Sequence, residues 1–328
     1  MPGQNFLPRR DVASARPDGH RLWVRPMVSV MTIRDQLPVK NALAAAGLAP
    51  IIFALFATVA PVAAAGSAVE LVPHRASYRM ALKSARGGSG VVNAQGAALY
   101  RFTETCDAWA VENNIYLKIG YAGGPEVKIA WSFAALESKN GRDYRFRLRH
   151  KRGGKTVELL QGTAILDAPG GPGRARFKSG KNPAEPGKAD TPTDVTIDLP
   201  KGTLFPTQHL LVVLKAGRDG TRFLPRVVFD GASLDNPYNV TATIAGAETA
   251  TIGQSVKALA LAAGFRDLPA RSVRLAFFPV RSRKPEPEFE VGVDYRTDGL
   301  ATKVTHDYGD FSIDMTPTEI ELLARPEC

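Results

Sequence analysis

The stretch that most restricts how this chain can fold is residues 204–217, LFPTQHLLVVLKAG. Leu210, Leu211, Val212, Val213 and Leu214 point in every direction around a helix. A helix that is apolar all round belongs in an interior, and this one is far too short to span a bilayer. Thr207 is placed to be its N-cap, and Gly217 to stop it after Lys215. Most of the chain on either side alternates like β-strand. The expected fold is mainly β: a single curled or spiral antiparallel sheet, like a broken barrel, wrapped around one central helix.

The turns support this. Gly 30 and Pro 24 in 328 residues are enough punctuation for many short strands. Asn140-Gly141 suits a type I′ hairpin turn. After it, Tyr144, Phe146, Leu148 and His150 share one strand face, and Arg145, Arg147, Arg149 and Lys151 share the other. A turn at Gly153-Gly154 sets Leu148 opposite Leu159 and Arg149 opposite Glu158, so one acid faces four bases. Asp298-Gly299 sets Asp294 opposite Lys303 and Val293 opposite Val304. Residues 167–190 are rich in Pro and Gly and read as a surface loop with at most one short strand near 174–178. Residues 256–263 read as a second short helix. Thr316-Pro317-Thr318-Glu319 has the form of a capping box and predicts a short C-terminal helix through Leu323.

The N-terminus has the layout of a secretory leader over residues 31–65. A short positive segment precedes the Ala-rich apolar run 42–60, and Ala63-Ala64-Ala65 offers small residues for cleavage. The alternative is an uncleaved membrane anchor. Residues 1–30 are polar and Arg-rich, and read as a mis-assigned start or a disordered extension. Residues 66–328 then form a single β-rich domain. Removing residues 1–65, with seven Lys/Arg and three Asp/Glu, lowers the net charge from +10 to +6. The only cysteines are Cys106 and Cys328. In an oxidising compartment such a pair usually becomes a disulfide; the alternative is two free thiols.

Catalytic motifs are missing. No Gly-x-Ser-x-Gly elbow is present. Gly154-Lys155-Thr156 lacks the first glycine of a phosphate loop, because position 149 is Arg, and it leads into a strand. His74, His150, His209 and His306 fall at no metal-site spacing, and no cofactor is expected. His209, on the helix, reads as a buried histidine hydrogen-bonded to backbone, with a ligand or partner role as the alternative. The row Arg145, Arg147, Arg149 and Lys151 reads as a solvated face that discourages aggregation; the alternative is a surface for anionic glycolipid or phospholipid headgroups. Nucleic acid is not an expected partner. A hydrolase using His209 or His306 is the least supported class.

Five stretches, in order, resemble one family: Leu71-Val72-Pro73-His74 with Tyr78; Cys106 after an aromatic strand; Leu204-Phe205-Pro206-Thr207-Gln208-His209; Phe229-Asp230-Gly231; and Asp307-Tyr308-Gly309-Asp310-Phe311 before Cys328. Over roughly residues 70–328 the chain resembles the EipB-type cell-envelope integrity family of bacterial periplasmic proteins. The resemblance implies a spiral antiparallel sheet around a central helix, a disulfide from the region of Cys106 to Cys328, and a role in envelope stability under stress. It implies no established enzymatic activity. The expected function is a non-enzymatic binding or scaffold module, with other periplasmic or envelope proteins as partners and lipid or anionic glycolipid as a ligand. After processing it is not an integral membrane protein. The alternative is a lipid or lipoprotein carrier with an apolar cavity between sheet and helix.

Overall fold

The computed structural model describes residues 69–180, 193–246 and 250–328. They belong to one compact unit, Ala64–Cys328. The leader expected at 31–65, the extension at 1–30 and residues 181–190 of the expected loop lie outside the described residues.

The strands follow the alternation. In chain order they are β1 His74–Ala85, β2 Val91–Glu104, β3 Ala108–Tyr121, β4 Val127–Ser138, β5 Asp143–Arg152, β6 Lys155–Leu166, β7 Gly173–Gly180, β8 Thr193–Leu199 and β9 Thr203–Leu204. The helix α1 Pro206–Arg218 comes next, followed by β10 Phe223–Val228, β11 Tyr238–Ile244, α2 Gln254–Ala262, β12 Ala270–Pro279, β13 Phe289–Arg296, β14 Ala301–Asp307 and β15 Phe311–Leu322. All fifteen strands form one sheet, ordered β8-β7-β6-β5-β4-β3-β2-β1-β15-β14-β13-β12-β11-β10-β9. Pairing is antiparallel except between β9 and β10. Strand twist and bulges curl so long a sheet into a nearly closed barrel.

The two edge strands, β8 and β9, are consecutive in the chain, and side chains close the seam between them. Ile197 and Leu199 of β8 share a buried cluster with Tyr144, Phe146, Phe177, Phe205 and Phe229. Ring centroids lie 4.9 Å apart for Tyr144–Phe205 and for Phe146–Phe177, and 5.6 Å for Phe146–Phe229. Such pairs contribute about 0.5–1.5 kcal/mol each beyond their burial. Gly162 and Gly231 make room for the Phe146 ring: a Cβ would stand 2.7 Å and 2.5 Å from its atoms.

Helix α1 lies against β10 and β11, burying His209, Val213 and Ala216, while Leu210, Leu211, Val212 and Leu214 are half-buried. Its start differs from expectation. Phe205 is the N-cap and Pro206 the first helical residue, so Thr207 lies inside the first turn. The cap comes from elsewhere in the chain. Glu137 on β4, only 2% exposed, accepts the Thr207 N–H at 2.7 Å and the Gln208 N–H at 2.8 Å, one on each oxygen. The helix also runs through Gly217 to Arg218; Gly217 packs against Arg271 and Ile244, where a Cβ would stand 2.9–3.3 Å from their atoms.

Two further expectations are corrected. Residues 316–322 belong to β15, not to a C-terminal helix. Along this segment β15 pairs with β1, from Thr316↔Arg79 to Leu322↔His74, and pairing that long outweighs a local capping signal. Pro317 is tolerated because the β14 pairing ends at Met315, so its missing N–H faces no partner, and a bulge at Ser77/Tyr78 absorbs it. In the β5–β6 hairpin a bulge at His150/Lys151 leaves Val157 unpaired. Leu148 then faces Leu160, Arg149 faces Leu159, and Glu158 faces His150. The pairs Asp294↔Lys303 and Val293↔Val304 form as expected, as does the second helix, α2.

Cys106 and Cys328 are bonded, with Cα atoms 5.7 Å apart and a sequence separation of 222. The bond links the β2–β3 turn to the tail leaving β15, across β1. Arg325 in that tail donates to the Leu71 carbonyl at 2.8 Å and pairs with Glu70 and Glu104.

Two stability predictions follow from these ties. Glu137→Ala leaves two buried helix N–H groups without an acceptor and should cost about 2–4 kcal/mol, read as a lower denaturant midpoint with an unchanged slope; an unchanged midpoint would remove Glu137 from its capping role. The double variant C106S/C328S should lose up to about 5 kcal/mol, the chain-entropy value for so long a loop, measured by urea unfolding with and without reductant. Reductant should then have no effect on the variant.

Candidate functional site

Among the places that combine ionisable groups with open space are the interior beside α1 and the outer face of β3–β8. In the interior, His209 projects from the buried side of α1 toward β10–β13. A cavity of about 190 Å³ lies there, lined by His209, Val213, Val228, Asp230, Leu275, Phe277 and Tyr295 among others. The Nε2 atom of His209 is buried without a hydrogen-bond partner among the described residues. Burial and the nearby positive charge of Arg226 pull His209 down to about 4, so the ring is neutral at physiological pH.

Asp230 does not serve His209. Its Oδ1 accepts the Ala232 N–H at 2.8 Å and the Asn236 side-chain amide at 2.7 Å, while Asn236 Oδ1 accepts the Asp230 N–H at 2.9 Å. These bonds fold the corner after β10. Among the described residues no Ser, Thr or Cys lines the cavity, so the Ser–His and Cys–His pairings of nucleophilic catalysis do not form there. His306, on β14, is likewise pulled down to about 4 by burial and stacks on Tyr308 at 5.9 Å between centroids. Among the described residues no group of three or more His, Cys, Asp or Glu could hold a metal ion.

The outer face carries the basic row. Arg145, Arg147 and Arg149 are exposed, and Lys151 is half-buried near the strand end. The bulge in β6 takes Glu158 out of this row, because Glu158 stands opposite His150 on the inner parity. Arg145 and Arg147 line a concavity of about 880 Å³ together with Arg176 and Lys178 of β7. An adjoining hollow of about 540 Å³ adds Arg149.

A model of the EipB-like family matches residues 65–324. The chain belongs to the EipB-like family. It is 26% identical over 277 residues to the cell envelope integrity protein EipB of Brucella abortus (strain 2308), covering 84% of this chain and 91% of that protein. Its fold is similar to the crystal structure of a β-barrel-like protein of the domain of unknown function DUF1849, also from Brucella abortus. The TM-score is 0.67 at 23% identity, over 78% of this chain and 100% of that one. The EipB-like family takes its name from envelope integrity and not from an enzymatic activity.

Sequence reading of this EipB-like chain missed three residues. Glu137 was visible in principle: it falls on the inward parity of Ile129, Trp131, Phe133 and Ala135, where a charge needs a partner. Arg176 and Lys178 were hidden because the Gly- and Pro-rich flanks of β7 read as loop.

The buried ionisable groups set opposite pH dependences. His209 and His306 refuse a proton that the unfolded chain accepts near 6.5, so their share of stability is present above that pH and is lost as pH falls toward about 4. Glu137 acts in the other sense. Burial pushes its carboxyl up to about 7 against the opposing bonds from Thr207 and Gln208. Its share of stability is therefore lost as pH rises from about 4.5 to about 7. The double variant H209Q/H306Q should flatten the acid side of a stability–pH curve between about 6.5 and 4, and Glu137→Gln should flatten the side between about 4.5 and 7. Chemical unfolding at stepped pH measures both; unchanged slopes would mean that these groups are solvated.

Proposed function

We propose that this protein is exported to the periplasm and supports cell-envelope integrity as a non-enzymatic binding module. The observation that carries this reading is the match to a cell envelope integrity protein over 91% of that protein's length. The closed Cys106–Cys328 bond fits an oxidising compartment, and the leader layout of residues 31–65 supplies the route. The geometry supports binding over catalysis. The interior histidine has a partnerless nitrogen but no serine, threonine or cysteine among the described residues lining its cavity, while the outer face offers a broad cationic concavity.

The carrier alternative needs an apolar void of several hundred cubic ångströms between sheet and helix. The cavity beside His209 measures about 190 Å³ and includes the polar groups of His209, Asp230 and Tyr295. We therefore prefer the binding module.

Deleting the gene should sensitise the native host to detergent and to a cell-wall antibiotic, and the wild-type gene should restore resistance. A version lacking residues 31–65 should not restore it. Normal survival of the deletion strain, or full rescue by the leaderless version, would overturn the reading.

A further inference from the structure

We infer that the outer face of β4–β8 is a docking site for an anionic lipid headgroup that carries two phosphates; the inference rests on the binding-module reading above. The strand register dictates the geometry. Arg145 on β5 faces Thr163 on β6, which faces Arg176 on β7. One rung along, Arg147 faces Gln161, which faces Lys178. Side chains two residues apart on a strand are about 7 Å apart, and residues two strands apart are about 10 Å apart. Arg145, Arg147, Arg176 and Lys178 thus mark the corners of a rectangle, with the polar side chains of Thr163 and Gln161 between them. All four corner residues are exposed, and all line the 880 Å³ concavity.

The charge is only partly answered within the fold. Glu112 and Asp194 line the same concavity. Asp194 stands opposite Lys178 across β7–β8, and Glu112 stands two strands from Arg147, with Ala134 between. Four cations against two acids leave a surplus of +2, and Arg149 in the adjoining hollow raises it. Among the described residues no carboxylate forms an ion pair with Arg145, Arg147, Arg149 or Arg176. Guanidinium forks favour bidentate contact with phosphate, and two of them a strand-pair apart match two phosphates on one headgroup better than a single anion.

The apolar neighbours point to a lipid. Leu136 stands directly opposite Arg145 on β4 and is 40% exposed. Ile165 lies at the next outward position beyond Thr163 and is 54% exposed. A dissolved anion gains nothing from these side chains, whereas the glycerol and first methylenes of a membrane lipid can cover them.

Vesicle flotation tests the site, using protein recovered after export. One set of phosphatidylcholine vesicles contains cardiolipin, which has two phosphates. The other contains twice as much phosphatidylglycerol, so that total charge is equal. The expected result is binding about tenfold tighter to cardiolipin, weakening with added salt. The variant R147E/R176E should bind about tenfold less well, while R79E/R266E, with the same change in net charge on other exposed arginines, should bind within about twofold of wild type. If R147E/R176E does not fold, R145Q/R147Q/R176Q takes its place. Equal binding to the two vesicle types, equal loss in the two variants, or binding of free pyrophosphate without flotation would overturn the inference. None of these outcomes touches the deletion phenotype, so the docking site can fail while the envelope role stands.

Discussion

A helix placed inside a curled sheet presents its first-turn N–H groups to a largely buried region, and Glu137 is what answers them. Both carboxylate oxygens are used, one for Thr207 and one for Gln208. The positive end of the helix stands directly behind those two groups and favours negative charge there. The contact spans 70 residues of chain and joins β4 to the segment that follows the far edge of the sheet. Gln208 adds a second tie by donating to the Lys139 carbonyl at 3.0 Å. With α1 held at this point, Phe205 just before it is delivered onto Tyr144, and the seam cluster can form.

This arrangement separates two kinds of closure. The disulfide sits in the middle of the strand order, where β2, β1 and β15 are already neighbours, so it restricts the unfolded chain more than it shapes the folded one. The open edges, β8 and β9, have no covalent link beyond the short connection between them. They are held by aromatic packing and by the capped helix. Removing sulfur and removing Glu137 therefore attack different things: the entropy of the denatured ensemble in one case, the register of the seam in the other.

Much of this was legible in the residues. Alternation placed Tyr144, Phe146 and Leu148 inward, and Asp298-Gly299 set the Asp294↔Lys303 pair. What escaped depended on distant partners. The capping box at Thr316 is a sound local signal, yet β1 offers that segment a continuous ladder of hydrogen bonds, and only the assembled sheet reveals it. The bulge at Val157 shifts Glu158 by one position, which no turn rule foretells. Glu137 had the right parity to be noticed, but its partner, a helix start far along the chain, does not appear in any local pattern. The same holds for the site: Arg145, Arg147 and Arg149 were evident as a row, while Arg176 and Lys178 joined them only once β7 was paired.

The inner and outer faces of β5–β7 are physically coupled through that pairing. Phe146, Gly162 and Phe177 occupy one rung, and the two rings approach to 4.9 Å over the glycine. Because a side chain at Gly162 would strike both the Arg176 carbonyl and the Phe146 ring, the packing tolerates only this register. Neighbours along the same strands, Arg145 and Arg147 on β5, Gln161 and Thr163 on β6, Arg176 and Lys178 on β7, must then face outward at set intervals. The cation spacing on the surface is thus a consequence of how aromatic rings fill the seam beneath it. An inward change that slips β6 by one residue would turn every side chain of that strand over, replacing Gln161 and Thr163 in the middle of the cationic rectangle with Gly162 and, depending on the direction of the slip, Leu160 or Ala164.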